Sequence, residues 1–396
     1  MRHGPVRAAL ALITVPVLAC AASAATFEPL PWRTALAVRS DSTLLYAFAA
    51  ASPDAAWVLG ERTGRRGRTR PVSYHWDGVR WRPSTMPAEP TREHGGVDHG
   101  TRLSVSGTRN AWLLLPGMAE YDGEECGLAR RPSERQRVIS PSRLLRWDGS
   151  GWEGSLTVED AVLTSVVAVG SERVWAFGED REGPVVLQYD GTGWTRRSSP
   201  VRVDDVKALG SEAWVVGESA GARQAGAWRF DGVRWYPVPF GEAHPENKTV
   251  TKKKDGRWTG YSSLAVLDDG GIAVSGMVFT GPWCLRESFW SWRESPYQLR
   301  WDGDSWTRER GFGQRQLVSQ APDGRGGRYA VGMDFSESSE ESEILHRTAS
   351  GRWTGQGISG WRPIAVFRMP GTASFWAVGE ERGRRYKKRL LMRYER

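Results

Sequence analysis

The chain has 396 residues, 54 Lys and Arg against 46 Asp and Glu, and a formal net charge of +8. That mixed charge set, with 39% hydrophobic residues, is that of a globular protein and argues against a charge-driven nucleic-acid binder. Trp is abundant at 21, whereas 3 Cys and 6 His leave little material for metal or redox chemistry, so a fold must be found that buries Trp.

Residues 1–25 read as an export signal. MRHGPVR is a basic start, AALALITVPVLA an apolar run too short to span a bilayer, and CAASAAT a stretch of small residues. Two processing routes stay open. Ala22-Ser23-Ala24 fits a cleavage site that releases a chain starting at Ala25, and Val17-Leu18-Ala19-Cys20 resembles a bacterial lipobox that would lipidate Cys20. No second long apolar run follows, so the expected protein is exported. It is then either secreted or anchored to the outer face of the cytoplasmic membrane by a lipid on Cys20.

Residues 26–396 read as a single repeat domain. HWDGVRW (75–81), RWDGSGW (146–152), QYDGTGW (188–194), RFDGVRW (229–235) and RWDGDSW (300–306) each place an Asp-Gly pair between two aromatics. Asp-Gly is a strong signal for a two-residue hairpin, because Gly tolerates positive φ. Upstream of each lies a second motif, as in DAAWVLG (54–60), SERVWAFG (171–178), SEAWVVG (211–217) and TASFWAVG (372–379), itself preceded by a short apolar strand. Each unit is therefore four strands, a to d, without a helix. Strand b recurs at Trp57, Trp112, Trp175, Trp214, Ala273, Tyr329 and Trp376, and strand c near Trp76, Trp147, Tyr189, Phe230, Trp301, Thr348 and Tyr394. Strand d recurs internally only at Trp81, Trp152, Trp194, Trp235, Trp306 and Trp353, and the missing copy is supplied by FEPLPWRTAL, with Trp32 in the marker place. The expected fold is all-β: a seven-bladed β-propeller of four-stranded antiparallel blades, its ring closed by an N-terminal strand.

These motifs resemble the kelch-like and Trp-rich propellers of secreted actinobacterial type, over roughly residues 27–396. The resemblance implies architecture alone. The chain departs from kelch in lacking most double glycines after strand b, from sialidase Asp-boxes in the adjacency of Asp and Gly, and from WD40 repeats in the Trp that follows. The marker Trp residues are expected to be wedges between blades. Each can hide about 150–250 Å², worth roughly 4–6 kcal/mol before entropy is subtracted.

In a four-stranded meander the a–b and c–d turns lie on one face, and the b–c and d–a connections on the other. The long inserts all fall in the second set: ERTGRRGRTRPVS, PAEPTREHGGVDHG, GMAEYDGEECGLARRPSERQRVISPS, GEAHPENKTVTKKKDGRWTG, VFTGPWCLRESFWSWRESP and EERGRRYKK. Their basic residues Arg65, Arg66, Lys252, Lys253, Arg384 and Lys388, with Trp258, Trp283, Trp290 and Trp292, make a basic and aromatic face suited to recognition. Its expected partner is an extracellular or envelope protein or glycan with acidic groups. Cys126 and Cys284 sit in two of these inserts and form a candidate disulfide across the channel mouth.

Catalytic signals are weak. Gly217-Glu218-Ser219-Ala220-Gly221 matches a nucleophile elbow, but no helix follows it. His94 and His99 have no standard zinc spacing. Glu124, Glu125, Glu287 and Glu294 are loop carboxylates of the kind a carbohydrate-active enzyme pairs. The expectation is thus a monomeric, non-enzymatic binding propeller that uses no cofactor or metal and binds no nucleic acid. The alternatives are a carbohydrate-active enzyme working on the same face and a lipid-anchored structural envelope protein.

Overall fold

The computed structural model describes residues 32–38, 43–64, 69–87, 102–122, 135–220, 225–244, 255–282, 293–334, 341–356, 360–381 and 388–394. The chain divides into Met1–Leu30 and Pro31–Arg396, and every described residue belongs to the second unit. The export signal and Cys20 lie outside the described residues. No helix among those residues is long and apolar enough to cross a membrane.

Strand β1 (Arg33–Val38) comes first. The first sheet is β2 (Thr43–Ser52), β3 (Ala55–Thr63), β4 (Thr69–Trp76) and β5 (Trp81–Pro83). The second combines β6 (Leu103–Gly107) and β7 (Asn110–Leu115) with β10 (Ser142–Trp147) and β11 (Trp152–Val158), and between them β8 (Met118–Asp122) and β9 (Arg135–Ser140) form a separate ribbon. The third is β12 (Ala161–Ala168), β13 (Val174–Asp180), β14 (Gly183–Tyr189) and β15 (Trp194–Ser198). The fourth is β16 (Val201–Leu209), β17 (Glu212–Ser219), β18 (Ala225–Phe230) and β19 (Trp235–Val238). The fifth is β20 (Asp255–Val266), β21 (Ile272–Pro282), β22 (Arg293–Trp301) and β23 (Trp306–Glu309). The sixth is β24 (Gln316–Pro322), β25 (Arg328–Asp334), β26 (Glu341–Arg347) and β27 (Trp353–Gln356). The last is β28 (Trp361–Arg368), β29 (Phe375–Glu381) and β30 (Lys388–Tyr394), with β1 antiparallel to β30 from Arg33 opposite Arg393 to Val38 opposite Arg389.

Among the described residues the strands form four-stranded antiparallel sheets, the last of them made of β28, β29 and β30 with β1 from a distant part of the chain, and the architecture is an all-β propeller. The first strand of each sheet lines a common channel, and the fourth is the outer strand. Neighbouring sheets are joined by aromatic rings. Trp57 meets Trp147 of the second sheet edge-on at 5.7 Å, Trp112 meets Trp194 of the third at 5.5 Å, and Trp175 meets Phe230 of the fourth at 4.8 Å. Trp214 meets Trp306 of the fifth at 6.4 Å, and Trp376 of the last sheet meets Trp76 of the first at 5.2 Å. The two aromatics flanking each hairpin also touch one another, as Trp147 and Trp152 do at 5.4 Å. The recurring heptapeptide is thus a socket for the ring that the preceding sheet supplies. Edge-to-face pairs of this kind add about 0.5–1.5 kcal/mol to what burial gives.

The hairpin itself is wider than the two-residue turn read from Asp-Gly. Trp76 pairs with Trp81, and the Asp77 N–H donates to the Arg80 carbonyl, so the loop is the four residues between the two Trp. Asp77 Oδ1 accepts the N–H groups of Val79 and Arg80 at 3.0 and 2.9 Å, and Gly78 takes φ +89°. Asp148, Asp190, Asp231 and Asp302 repeat the pattern, and in the sixth sheet Thr348 Oγ1 accepts the Arg352 N–H in their place. These backbone donors hold the Asp77 and Asp190 carboxyls at about 2, below the usual carboxylate range. A carboxyl held low stabilises the fold above its unfolded value near ~4, and that contribution is lost as pH falls toward 2. Melting temperature should therefore fall steeply between pH 4 and 2. The double variant Asp77→Asn, Asp190→Asn should flatten that slope, and an unchanged slope would mean that these turns are not what acid breaks.

Candidate functional site

The channel encloses about 910 Å³, and all seven inner strands contribute to its wall. Its polar side chains include Tyr46, Arg102, Asp204, Asp205, Lys207, Ser319, Gln320 and Arg368, set among small apolar residues such as Ala47, Ala208, Ala265 and Ala365. Why polar groups reach inward follows from the strand register. Pairing slips by one residue at Tyr46, Thr164, Asp204, Ser262, Val318 and Ile364, in six of the inner strands. Such a bulge leaves one residue unpaired and re-aims its side chain. The glycine that ends the AW-x-VG motif lies opposite. A Cβ on Gly217 would run into the Arg202 carbonyl oxygen, and one on Gly178 into that of Val162, so the motif's glycine is set by the bulge across from it.

Side chains beside the bulges stitch the sheets together around the channel. Asp205 Oδ2 accepts the Leu264 N–H of the next sheet at 3.0 Å, while its Oδ1 accepts Lys207 Nζ at 3.2 Å. Ser319 Oγ accepts the Val366 N–H and donates to the Val366 carbonyl, both at 3.1 Å. At the end of the channel where the a–b turns lie, Asp268 accepts the Gly324 N–H at 2.6 Å and Arg368 Nη1 at 2.9 Å.

Two groups occupy the other end. In the first sheet the Tyr46 hydroxyl donates to Glu61 Oε1 at 3.5 Å, and the buried Arg102 guanidinium lies 5.5 Å from the Tyr46 ring. Burial pushes the Tyr46 phenol up, and Glu61 adds to the effect. In the fourth sheet Arg202 Nη2 donates to Glu218 Oε2 at 2.9 Å beside Asp204. Enclosure by protein pushes the Asp204 carboxyl up to about 7, with Glu218 and Asp205 raising it further and Arg202 opposing them.

Arg65, Arg66, Lys252, Lys253, Trp283, Trp290, Trp292, Arg384, Cys126, Cys284, His94 and His99 lie outside the described residues. Trp258 is on β20 opposite Phe279, and Lys388 is on β30 opposite Glu381, both at the end of the propeller that carries the b–c and d–a connections. Part of what reads as irregular insert is strand: β8 pairs with β9, and the β20–β21 ladder runs on from Tyr261 to Asp255. The nucleophile-elbow match places Gly217 and Ser219 on β17, where Gly217 serves the bulge. Among the described residues no group of three or more His, Cys, Asp or Glu could hold a metal.

Tyr46, Glu61, Arg102, Asp204 and Glu218 were not singled out from sequence. The legible signal is in VRVDDVKAL, where an apolar alternation carries two adjacent acids and resumes out of phase.

No family model matches the chain, and no curated protein matches it. Among solved structures, that of the polysaccharide lyase Uly1 superposes with a TM-score of 0.52 at 10% identity, over 90% of this chain and 90% of that one. The β-propeller domain of the Trilobed protease from Pyrococcus furiosus aligns with a TM-score of 0.49 at 8% identity, over 90% of this chain and 94% of that one. A Trypanosoma rangeli sialidase aligns at 0.42 and 8% identity, over 92% of this chain and 60% of that one. Likeness at such identities is likeness of fold.

Proposed function

We propose that the chain is an exported, non-enzymatic recognition propeller of kelch-like type. Its seven sheets are the blades of one ring closed by β1, and its insert-bearing end binds an envelope protein or glycan with acidic groups. One observation carries this reading: the two ends of the propeller differ in build. Five of the c–d turns are tight Asp-capped hairpins, whereas the β8–β9 ribbon and the extended β20–β21 ladder project at the other end. That end also holds the charged groups of the channel mouth and, by sequence, Arg65, Arg66, Lys252, Lys253 and Arg384 with Trp283, Trp290 and Trp292. The ring is supported by the pairing of β1 with β30 and by Trp376 seated on Trp76 and Trp81.

Capture of partners from the native envelope tests the reading. Reversing charge at Lys252 and Lys253 should weaken capture and flatten its salt dependence, since exposed charges are screened over about 8–10 Å. Alanine at Trp290 and Trp292 should weaken it at every salt concentration. Val79 and Val233, 82% and 72% exposed on hairpins of the opposite end, supply the control, and Val79→Ser with Val233→Ser should capture normally. If only the control loses capture, the working end is the other one.

A second reading rests on Asp204. An acid raised to about 7, and so part-protonated at neutral pH, beside a second carboxylate in Glu218 is the kind of pairing that cleavage of a polysaccharide uses. Release of reducing or unsaturated ends from a polysaccharide panel, lost in Asp204→Asn, would favour it; no release from any polymer would end it.

A further inference from the structure

The geometry points to a binding site for an organic primary ammonium inside the central channel, with the side chain of Asp204 as its counter-ion. This site lies inside the channel at its insert-bearing end, and it does not depend on what the inserts themselves bind.

Asp204 occupies the bulge of β16, between the Val203–Gly217 and Asp205–Val216 pairs, and its side chain lines the channel. Among the described residues no donor reaches its carboxyl, which is partly buried in the channel wall. The groups around it are already engaged. Arg202 is held by Glu218 at 2.9 Å and Lys207 by Asp205 at 3.2 Å, so each of the two cations has its own acid and Asp204 is left in excess. Among the described residues, Arg202, Asp205 and Glu218 act on Asp204 electrostatically.

A channel-lining carboxyl that no described donor reaches is open to the donors of a ligand. An ammonium group brings one positive charge and three donors. A divalent metal fits less well, because the described residues offer no group of three ligating side chains. The remaining wall suits an uncharged ligand body: Ala47, Val167, Val206, Ala208 and Ala265 line the same channel, which is of ordinary size for a small-molecule site. The same ammonium chemistry comes from two sources, an alkylamine or an amino sugar.

Charge linkage gives the site a signature. With the Asp204 carboxyl near 7, the ionised form predominates at pH 8 and is a minor fraction at pH 6. Binding of an amine that stays charged throughout should therefore weaken about 10-fold from pH 8 to pH 6 and release a proton at the lower pH. Calorimetric titration of the full chain with n-butylamine, glucosamine, N-acetylglucosamine and calcium chloride tests this. One or both amines should bind at pH 8, the neutral amide and calcium should not, and Asp204→Asn should weaken amine binding at least about 10-fold. Binding of butylamine alone assigns the alkylamine source, and binding of glucosamine alone the amino-sugar source. The proposal is overturned if neither amine binds the wild type, if N-acetylglucosamine or calcium binds as well as the amines, or if Asp204→Asn binds them unchanged. Should Asp204→Asn not fold, proton release by the wild type decides: heats that do not vary with the buffer's ionisation enthalpy at pH 6 overturn it.

Discussion

Replacing Glu309 with Leu should destabilise the protein by about 3–5 kcal/mol, because it leaves the buried Arg328 and the partly buried Arg347 without their counter-charge. Glu309 ends the outer strand β23 of the fifth sheet, and Arg328 and Arg347 belong to the sixth. Its Oε1 lies 3.0 Å from Arg347 Nη2 as an ion pair, and its other oxygen accepts Arg328 Nη2. The Arg328 and Glu309 side chains are only 2% and 7% exposed, so water cannot replace the lost partner. Burial already pulls the Arg328 guanidinium below its ordinary value, against the attraction of Glu309. At this boundary strand b offers Ala273 where the first to fourth sheets offer Trp, and the Arg328 guanidinium lies 5.1 Å from the Trp353 ring. A polar network here replaces the aromatic wedge. Removing the whole triad as Arg328→Met, Glu309→Leu and Arg347→Met should then be near neutral or stabilising, by up to about 4 kcal/mol. Denaturant unfolding of the single and triple variants checks both statements. A single variant within about 1 kcal/mol of wild type would show that the charges are not interdependent.

This triad also marks where sequence reasoning stops. The b, c and d strands could be found because Trp57, Trp76 and Trp81 and their repeats are large, rare and evenly spaced, and a four-stranded meander has few other ways to bury them. Asp77 was read as half of a two-residue turn, whereas its carboxylate caps two N–H groups of a longer loop; dipeptide statistics see the glycine's φ and not the side-chain bonds. In the sixth sheet Tyr329 and Thr348 marked the repeat weakly, and nothing local announces that Glu309 and Arg328, 19 residues apart, would meet across a sheet boundary. The channel is a similar case. Asp204 lies in a short inner strand whose neighbours in the ring come from distant segments, and only the phase break in VRVDDVKAL hints at a side chain turned inward. The long inserts drew attention because basic and aromatic residues cluster there visibly. The convergence of seven inner strands on one cavity exists only after folding.

Trp376→Ala should cost about 3–5 kcal/mol, as expected for a buried large aromatic truncated to a methyl group. Trp376 is 1% exposed and meets both Trp76 at 5.2 Å and Trp81 at 5.6 Å, so its loss opens the contact between the last sheet and the first. The motif alone would rank Trp194 as an equal wedge, but its ring is only half-buried, although its Nε1 donates to Ser155 Oγ at 3.2 Å. Trp194→Ala should therefore cost less, ~2 kcal/mol from the smaller area removed from water. The comparison separates two views of the repeat. If the marker Trp residues of strands b and d matter only within their own sheets, the two variants should lose similar stability, and each loss should stay local. If they matter as rings seated between sheets, Trp376→Ala should lower the melting temperature more and raise amide exchange in β1, β30 and β2 together, since those strands meet at that boundary. Equal losses, or exchange confined to β29, would show that the first and last sheets are not held to each other through Trp376.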